Sequence, residues 1–156
     1  MRCSQARRLA GPERGGSVMS ETQYWLRPIG YVESPLTERD EAPRQGDEGA
    51  PGAWLVLDAA MRDAMGDLEA DSEVIVLTWL DRASREVQRV HPRGDESRPV
   101  QGVFSTRSPD RPNPIGLHTV RIVAIDGNRI EVRNLEALDK TPILDIKPLL
   151  GGVGQR

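Results

Sequence analysis

Cysteine and aromatic side chains are scarce in this chain. Its 156 residues include one cysteine, Cys3, which excludes an internal disulfide and a cysteine-based zinc site and suits a reducing compartment. Aromatic residues make up 4% of the chain, so its core has to be built from Val, Ile and Leu. No apolar run approaches the roughly 20 residues that a membrane-spanning helix needs. We therefore expect a cytoplasmic protein without a membrane segment.

Several catalytic signatures are missing as well. None of the glycines stands in a strand–GxGxxG–helix setting, which argues against a doubly wound dinucleotide-binding fold. The chain also has no P-loop, no GxSxG and no HExxH. His91 and His118 are its only histidines, too few for a His-only metal site. We expect no metal, and we interpret both histidines as structural.

The two ends of the chain differ from its middle in composition. Residues 1–18 carry four arginines against one acid, without the apolar stretch that a secretory signal needs. We expect either a disordered leader or an upstream start codon with the true beginning at Met19; a transit peptide is the alternative. The folded domain is expected over residues 24–150, followed by a tail at 151–156.

Short apolar segments punctuated by glycine and proline predict a mainly β fold. Asp126-Gly127-Asn128 is a strong hairpin signal, and Asp58 is predicted to cap a short helix over 59–65 that ends at Gly66. Together these features predict an antiparallel, barrel-like sheet with one or two short helices. The predicted strands are 25–32, 54–57, 73–80, 85–90, 102–104, 117–125, 129–132 and 143–146.

Charge is unevenly distributed along the chain. Residues 19–80 hold four arginines against thirteen acids, whereas residues 81–111 hold seven arginines against five acids. A protein that binds nucleic acid non-specifically would be basic throughout. RNA could therefore bind only at a local patch that includes Arg89, Arg93 and Arg111. The alternative is a set of solvated arginines at strand and loop edges.

Two segments are candidates for function. Residues 33–52, the first loop, show no periodic pattern, and a loop of this length in a compact domain is typically functional or disordered. Residues 105–116, the proline-rich loop, carry three prolines within six positions. Because prolines restrict the backbone, this loop displays Arg107, Asp110, Arg111 and Asn113 with little entropy to lose on binding. From the residues alone, a binding loop and a rigid structural crossover fit equally well.

Several sequence blocks resemble the TrmO/TsaA-like methyltransferase family. Residues 102–117 read GVFSTRSPDRPNPIGL, where the family has GVFATRSPxRPNPIG. Residues 138–148 read LDKTPILDIKP and resemble its second block, LDGTPVLDIKPY. IGYVESP at 29–35 resembles the family's opening block, and PRQ at 43–45 resembles its cofactor-loop motif. VHPRGD at 90–95 matches a variant that is common among short members of the family. The blocks follow the family's order across nearly the whole predicted domain.

The resemblance implies a non-Rossmann β-barrel methyltransferase, usually a homodimer, that binds S-adenosyl-L-methionine. It further implies methylation of N6 of threonylcarbamoyladenosine at position 37 of tRNA, beside the anticodon. Asp81 stands where the family has histidine, and Lys140 stands where it has glycine. By position, the implied cofactor contacts are Pro43, Arg44, Gln45, Asp81, Arg82, Arg107, Leu117, Ala137, Leu138, Asp139 and Lys140.

The chemistry of this cofactor fits the residue types at those positions. Arg44 or Arg107 can bind its carboxylate bidentately, and Leu117 and Leu138 can form an apolar wall for its adenine. An adenine N6 is a poor nucleophile and needs a hydrogen-bond acceptor for its N–H. The candidate acceptors are Asn113 and Asp139, followed by Asp110.

Two other functions fit the same blocks. The barrel could methylate a small metabolite, which the acidic first half of the chain favours. It could also be a non-catalytic module that binds S-adenosylmethionine and transfers nothing.

Overall fold

The computed structural model describes residues 24–150, and its central element is a closed barrel of six strands. The barrel order is β1-β2-β7-β6-β3-β8, every neighbouring pair is antiparallel, and β1 pairs with β8 to close the ring. β4 and β5 form a separate two-stranded sheet. The strands are β1 (Gly30–Glu33), β2 (Ala53–Leu57), β3 (Glu73–Trp79), β4 (Arg89–Val90), β5 (Gln101–Gly102), β6 (Ile115–Asp126), β7 (Arg129–Arg133) and β8 (Pro142–Pro148).

The predicted fold class is confirmed, and the strongest sequence signals are the best placed. β3 pairs along its length with β6 on one side and β8 on the other, as its nearly continuous apolar sequence indicates. Gly127 and Asn128 form the two-residue turn between β6 and β7, and Gly127 has a φ of 60°. Closure removes the exposed sheet edges that would otherwise invite pairing with other chains.

The hydrophobic core of the described residues contains aliphatic side chains and Met65, and no aromatic side chain. The inward positions alternate along each strand, as the pleat of a strand requires. Phe104, the only phenylalanine, is 84% exposed. The expectation of a core without aromatics is confirmed. Its most buried members include Val32, Leu55, Val76, Val120, Ile122, Ile130, Val132, Leu135 and Ile143.

Three predicted strands are wrong in extent. The first begins at Gly30, because the preceding residues, with Pro28 among them, make no ladder, and Trp25 is 91% exposed. The strand predicted over 85–90 is limited to Arg89–Val90, because only these two residues pair with β5, its one partner among the described residues. The strand predicted over 102–104 instead ends at Gly102, and a 3-10 turn follows it.

The predicted short helix is a pair of 3-10 turns, Ala59–Met61 and Asp63–Met65. The Asp58 carboxylate accepts a hydrogen bond from the backbone N–H of Ala60 at 3.0 Å, so the predicted cap is confirmed. Residues 24–150 contain no α-helix, and hence no helix able to span a membrane. The leader predicted at 1–18 and the tail at 151–156 lie outside the described residues.

The segments that carry the resemblance meet at one end of the barrel. β3 ends there, β6 and β8 begin there, and the first loop leaves β1 at the same end. Backbone hydrogen bonds join these segments: Val32 N–H donates to Thr141 O, and Leu80 N–H donates to Pro114 O. This end of the barrel therefore holds the site.

Candidate functional site

A cleft of about 1200 Å³ opens at this end of the barrel. Its walls come from the first loop, the turn after β3, the β4–β5 sheet, the proline-rich loop and the segment before β8. Ligand pockets usually hold about 300–1,000 Å³. The cleft can therefore take a nucleoside cofactor and still leave room for a reacting group.

Most of the residues implied as cofactor contacts line this single cleft. They come from four segments far apart in the sequence, and the closure of the barrel brings them together. Asp139 and Lys140 are the two exceptions, since neither lines the cleft; Asp139 accepts the Ser34 N–H, and Lys140 lies over the Tyr31 ring. The lining members are Pro43, Arg44, Gln45, Asp81, Arg82, Arg107, Leu117, Ala137 and Leu138.

Arg111 holds the proline-rich loop together from inside. Its Nε donates to Ser108 O at 2.8 Å, and its Nη2 donates to Val103 O at 3.1 Å and to Thr106 O at 2.6 Å. These donors satisfy carbonyls of the loop itself, and Arg111 also lines the cleft, so its contact with RNA stays a prediction. The loop is therefore a braced crossover that also lines the cleft.

Arg107 projects from this braced loop into the cleft. Its side chain is exposed, and the structure records no ion pair between it and another of residues 24–150. Arg44 lines the facing wall and is also exposed. Two guanidinium groups are therefore available in the cleft for a carboxylate or a phosphate. Of the arginines predicted for RNA, Arg93 and Arg111 line the cleft and Arg89 does not.

Asp110 is held in an ion pair, which makes it a poor proton acceptor. Its carboxylate lies 3.0 and 3.2 Å from Arg39 Nη2 and accepts the Ser84 N–H at 2.8 Å. Partial burial raises the pKa of Asp110, but the hydrogen bonds from Arg39 and Ser84 and the charge of Arg39 outweigh it. The pKa therefore lies below its ordinary value of 3.8.

Replacing Asp110 with Asn is expected to lower the free energy of unfolding by about 1 kcal/mol at neutral pH, because two hydrogen bonds lose their charge. A carboxyl group whose pKa is lower in the folded protein stabilises the fold at pH values above its pKa in the unfolded chain. This stabilisation is lost as the pH falls through its pKa in the folded protein. The difference in the free energy of unfolding between wild type and Asp110→Asn should therefore vanish once the pH has fallen below the lowered pKa, which itself lies below 3.8. Urea unfolding of both proteins across pH measures it, with Asp67→Asn, an exposed acid, as control. A difference that grows on acidification would contradict the ion-pair assignment.

The other two candidate acceptors do not reach the cleft. Asp139 Oδ1 accepts the backbone N–H of Ser34 at 3.2 Å, so this carboxylate ties the turn before β8 to the end of β1. Asn113 is exposed and lies outside the cleft lining. The structure therefore does not place Asn113 or Asp139 where a reacting nitrogen in the cleft could be contacted.

The two departures from the family pattern fit the local geometry. Lys140 has a φ of 65°, the left-handed conformation that glycine adopts readily, and its ammonium lies 4.5 Å from the centre of the Tyr31 ring. The turn thus keeps its shape with a lysine. Asp81 is exposed directly after β3 and presents a carboxylate to the cleft where the family has an imidazole.

A buried polar network, which sequence reasoning missed, lies at the cleft end of the barrel. His118 is 5% exposed; its Nδ1 lies 2.8 Å from Glu136 Oε1 and its Nε2 lies 2.8 Å from Thr78 Oγ1. His118 and Glu136 both line the cleft. The available signal was that Thr78 and His118 occupy inward positions of strands that are otherwise apolar. Within residues 24–150, no three His, Cys, Asp or Glu side chains are grouped as a metal site requires.

The model of the family described as tRNA-methyltransferase O N-terminal domain matches residues 31–153 of the chain. The chain belongs to this family. A protein of Archaeoglobus fulgidus named S-adenosyl-L-methionine-binding protein is 44% identical over 122 residues, which cover 78% of this chain and 86% of that protein. A Methanothermobacter thermautotrophicus protein named probable S-adenosyl-L-methionine-binding protein is 44% identical over 130 residues, covering 83% and 93% of the two chains.

The solved structures of this family show the same fold. TrmO from Pseudomonas aeruginosa matches with a TM-score of 0.66 at 32% identity, over 83% of this chain and 57% of that one. Another TrmO crystal structure matches with a TM-score of 0.69 at 32% identity, over 83% and 58% of the two chains. The chain therefore spans somewhat more than half the length of the solved TrmO chains.

Proposed function

We propose that this chain is an S-adenosyl-L-methionine-dependent methyltransferase that methylates N6 of threonylcarbamoyladenosine in tRNA. The observation that carries the proposal is the convergence of residues from four distant segments on one cleft. Membership of a family described by tRNA methyl transfer, and relatives named for S-adenosyl-L-methionine binding, support it. A homodimer is part of the proposal, because the resemblance implies one.

The residues in the cleft fit the cofactor's chemical groups. Arg107 and Arg44 are placed to bind its carboxylate. Ile115 and Leu117 line the cleft although they are 43% and 44% exposed, and they offer an apolar wall to the adenine. Asp81 supplies negative charge for a cationic sulfur. The cleft thus carries a complementary group for the carboxylate, the adenine and the sulfur of the cofactor.

The chain contributes to the reaction by positioning the nucleophilic nitrogen relative to the methyl group. When bound, the cofactor supplies a methyl group that its sulfonium sulfur already activates. The cleft then has to hold the nucleophilic nitrogen in line, and positioning of this kind can contribute roughly 7–11 kcal/mol to lowering a barrier. The proline-rich loop, braced by Arg111 and anchored through Asp110 and Arg39, provides the rigidity that placement requires.

The β4–β5 side of the cleft offers a surface for RNA. Arg93 and Arg98 line this side and can contact phosphates, and each also has an acidic partner, Glu48 and Asp95. Phe104 is 84% exposed at the rim. RNA-binding proteins commonly stack unpaired bases on exposed aromatic rings. A base of the anticodon loop therefore has a stacking partner beside the cleft.

Phe104→Ala is expected to weaken binding of an anticodon stem-loop by about 5- to 160-fold, because base stacking contributes about 1–3 kcal/mol. Its affinity for the cofactor should not change. Fluorescence anisotropy measures the RNA affinity, with Tyr24→Ala, an equally exposed aromatic outside the cleft, as control. Affinity should also fall steeply between low and physiological salt. Binding that is insensitive both to salt and to Phe104 would contradict this RNA surface.

Mass spectrometry of bulk tRNA from a deletion strain tests the substrate. Deletion should remove N6-methylated threonylcarbamoyladenosine, and the wild-type gene should restore it while Arg107→Ala should not. An unchanged level of the methylated base would exclude tRNA as substrate. Because residues 19–80 are strongly acidic, a small metabolite would then be the acceptor to search for.

A further inference from the structure

We infer that Glu136 accepts the N–H of the nucleophilic nitrogen, with His118 and Thr78 as positioning residues that fix its carboxylate. The inference rests on the proposed methyl transfer and adds a proton acceptor to it. None of the three acceptors suggested by the sequence fits this role. Asp110 is paired with Arg39, and Asn113 and Asp139 lie outside the cleft.

With the Glu136 carboxylate as an acceptor, the hydrogen bonds of the network take one direction. An ionised carboxylate can only accept, so His118 Nδ1 carries the hydrogen that Glu136 Oε1 receives. In a neutral imidazole the other nitrogen is then the acceptor, and Thr78 Oγ1 donates to Nε2. Thr78 is 0% exposed, so this chain of bonds is anchored in the barrel interior. The imidazole therefore holds one oxygen of Glu136 at a fixed place.

The second oxygen of Glu136 is the one available to a ligand. Within the described residues the structure records a partner for Oε1 only. The side chain is 18% exposed and lines the cleft between His118 and Ala137. Oε2 would lie 3.1 Å from a Cβ placed on Gly46, so it is next to the first loop as well. Glu136 thus presents a shielded oxygen where two walls of the cleft meet.

The other acids of the cleft are less suited to this role. Asp81 and Glu96 are exposed, so water competes for their oxygens. Asp110 accepts its hydrogen bonds from Arg39 and Ser84. Glu136 combines shelter from water, a fixed orientation and the absence of an arginine or lysine partner within residues 24–150. These are the features of a carboxylate placed to accept a proton.

The step balances without a further reactant. N6 of threonylcarbamoyladenosine carries one hydrogen, and its lone pair is delocalised into the ring and the carbonyl group. As that lone pair forms the new N–C bond, the C–S bond breaks and its electron pair stays on sulfur. The N6 proton passes to Glu136 Oε2, while His118 keeps donating to Oε1. The proton is later released to water.

Glu136→Gln tests the acceptor, because it keeps the shape but removes the proton-accepting charge. We expect kcat for tRNA methylation to fall by about 10²–10³-fold, with the cofactor affinity measured by calorimetry and the KM for tRNA near wild-type values. Glu69→Gln, on the surface outside the cleft, is the matched control and should retain full kcat. A wild-type kcat in Glu136→Gln would overturn the inference and leave the proposed function intact. If Glu136→Gln does not fold, Glu136→Asp decides, since a withdrawn carboxylate should still lower kcat about 10-fold and an unchanged kcat overturns the role.

The hydrogen bond by which His118 orients the Glu136 carboxylate can be tested without cofactor or substrate. Imidazole ¹⁵N spectra of the cofactor-free protein should show His118 protonated at Nδ1 and bare at Nε2. The opposite tautomer would overturn the assigned direction of the network. Thr78→Val should lower kcat about 10-fold with KM unchanged; a change in KM alone would mean that Thr78 has only a structural role. A wild-type protein that binds the cofactor but methylates no tRNA would instead refute the proposed function.

Discussion

Replacing Gly116 with alanine is expected to lower the free energy of unfolding by about 1–3 kcal/mol, the usual cost of overpacking a filled core. Gly116 faces inward at the start of β6, opposite Thr78. An added Cβ would overlap Thr78 Oγ1 and would lie 2.5 Å from His118 Nε2. Both partners are buried, so neither can move into solvent. The melting temperature should fall by about 3–10 °C, which calorimetry measures.

Gly102→Ala is the matched control for this substitution. Gly102 begins the same sequence block, but a Cβ there meets no atom within 4 Å and its φ is −63°. The free energy of unfolding of Gly102→Ala should stay within about 0.5 kcal/mol of that of the wild type. If Gly116→Ala melts together with the control, the close approach between β6 and the Thr78–His118 pair is not as the structure places it. Activity should fall with stability, because the same methyl group disturbs the residue that orients Glu136.

Arg107→Ala is expected to weaken S-adenosyl-L-methionine binding by about 10- to 160-fold without unfolding the protein, because a hydrogen-bonded charge pair contributes about 1.5–3 kcal/mol. The side chain lines the cleft, is exposed, and has no ion-pair partner among the described residues, so its removal leaves no buried group unsatisfied. Isothermal calorimetry gives the affinity and thermal unfolding gives the stability. The two measurements separate loss of a ligand contact from loss of the fold.

Arg121→Ala controls for the change in net charge. Arg121 lies at the far end of the β3–β6 pairing, beside Glu73, and is not part of the cleft. Its exposed ion pair should contribute less than about 1 kcal/mol to stability and nothing to cofactor affinity. Equal affinities in Arg107→Ala and Arg121→Ala would contradict the placement of the cofactor carboxylate at Arg107.

The fold was predictable where local signals agree with the global topology. The hairpin at Gly127-Asn128, the buried strand β3 and the Asp58 cap each follow from residue types over a few positions. Predictions failed where a strand needs a partner that the local sequence does not reveal. Residues 85–88 alternate like a strand, yet pairing is confined to Arg89 and Val90 because β5 is that short.

Much of the cleft lining could also be inferred from the sequence, because its residues lie in contiguous blocks that resemble a known family. The proton acceptor could not. Thr78, His118 and Glu136 are far apart in the chain, and they meet only because β3 pairs with β6 in one register while the segment before β8 folds over the open end. A shift of one residue in that register would turn His118 outward. The hydrogen bond from the Ser34 N–H to Asp139 was likewise not predictable, because the two residues lie far apart in the chain.

The most direct test of the account supplies the purified chain with S-adenosyl-L-methionine carrying a deuterated methyl group and with tRNA that contains threonylcarbamoyladenosine. Mass spectrometry of the digested nucleosides should find the labelled methyl on N6 of that base, and tRNA lacking the modification should stay unlabelled. A protein that binds the cofactor in the cleft yet leaves the modified tRNA unlabelled would contradict the account.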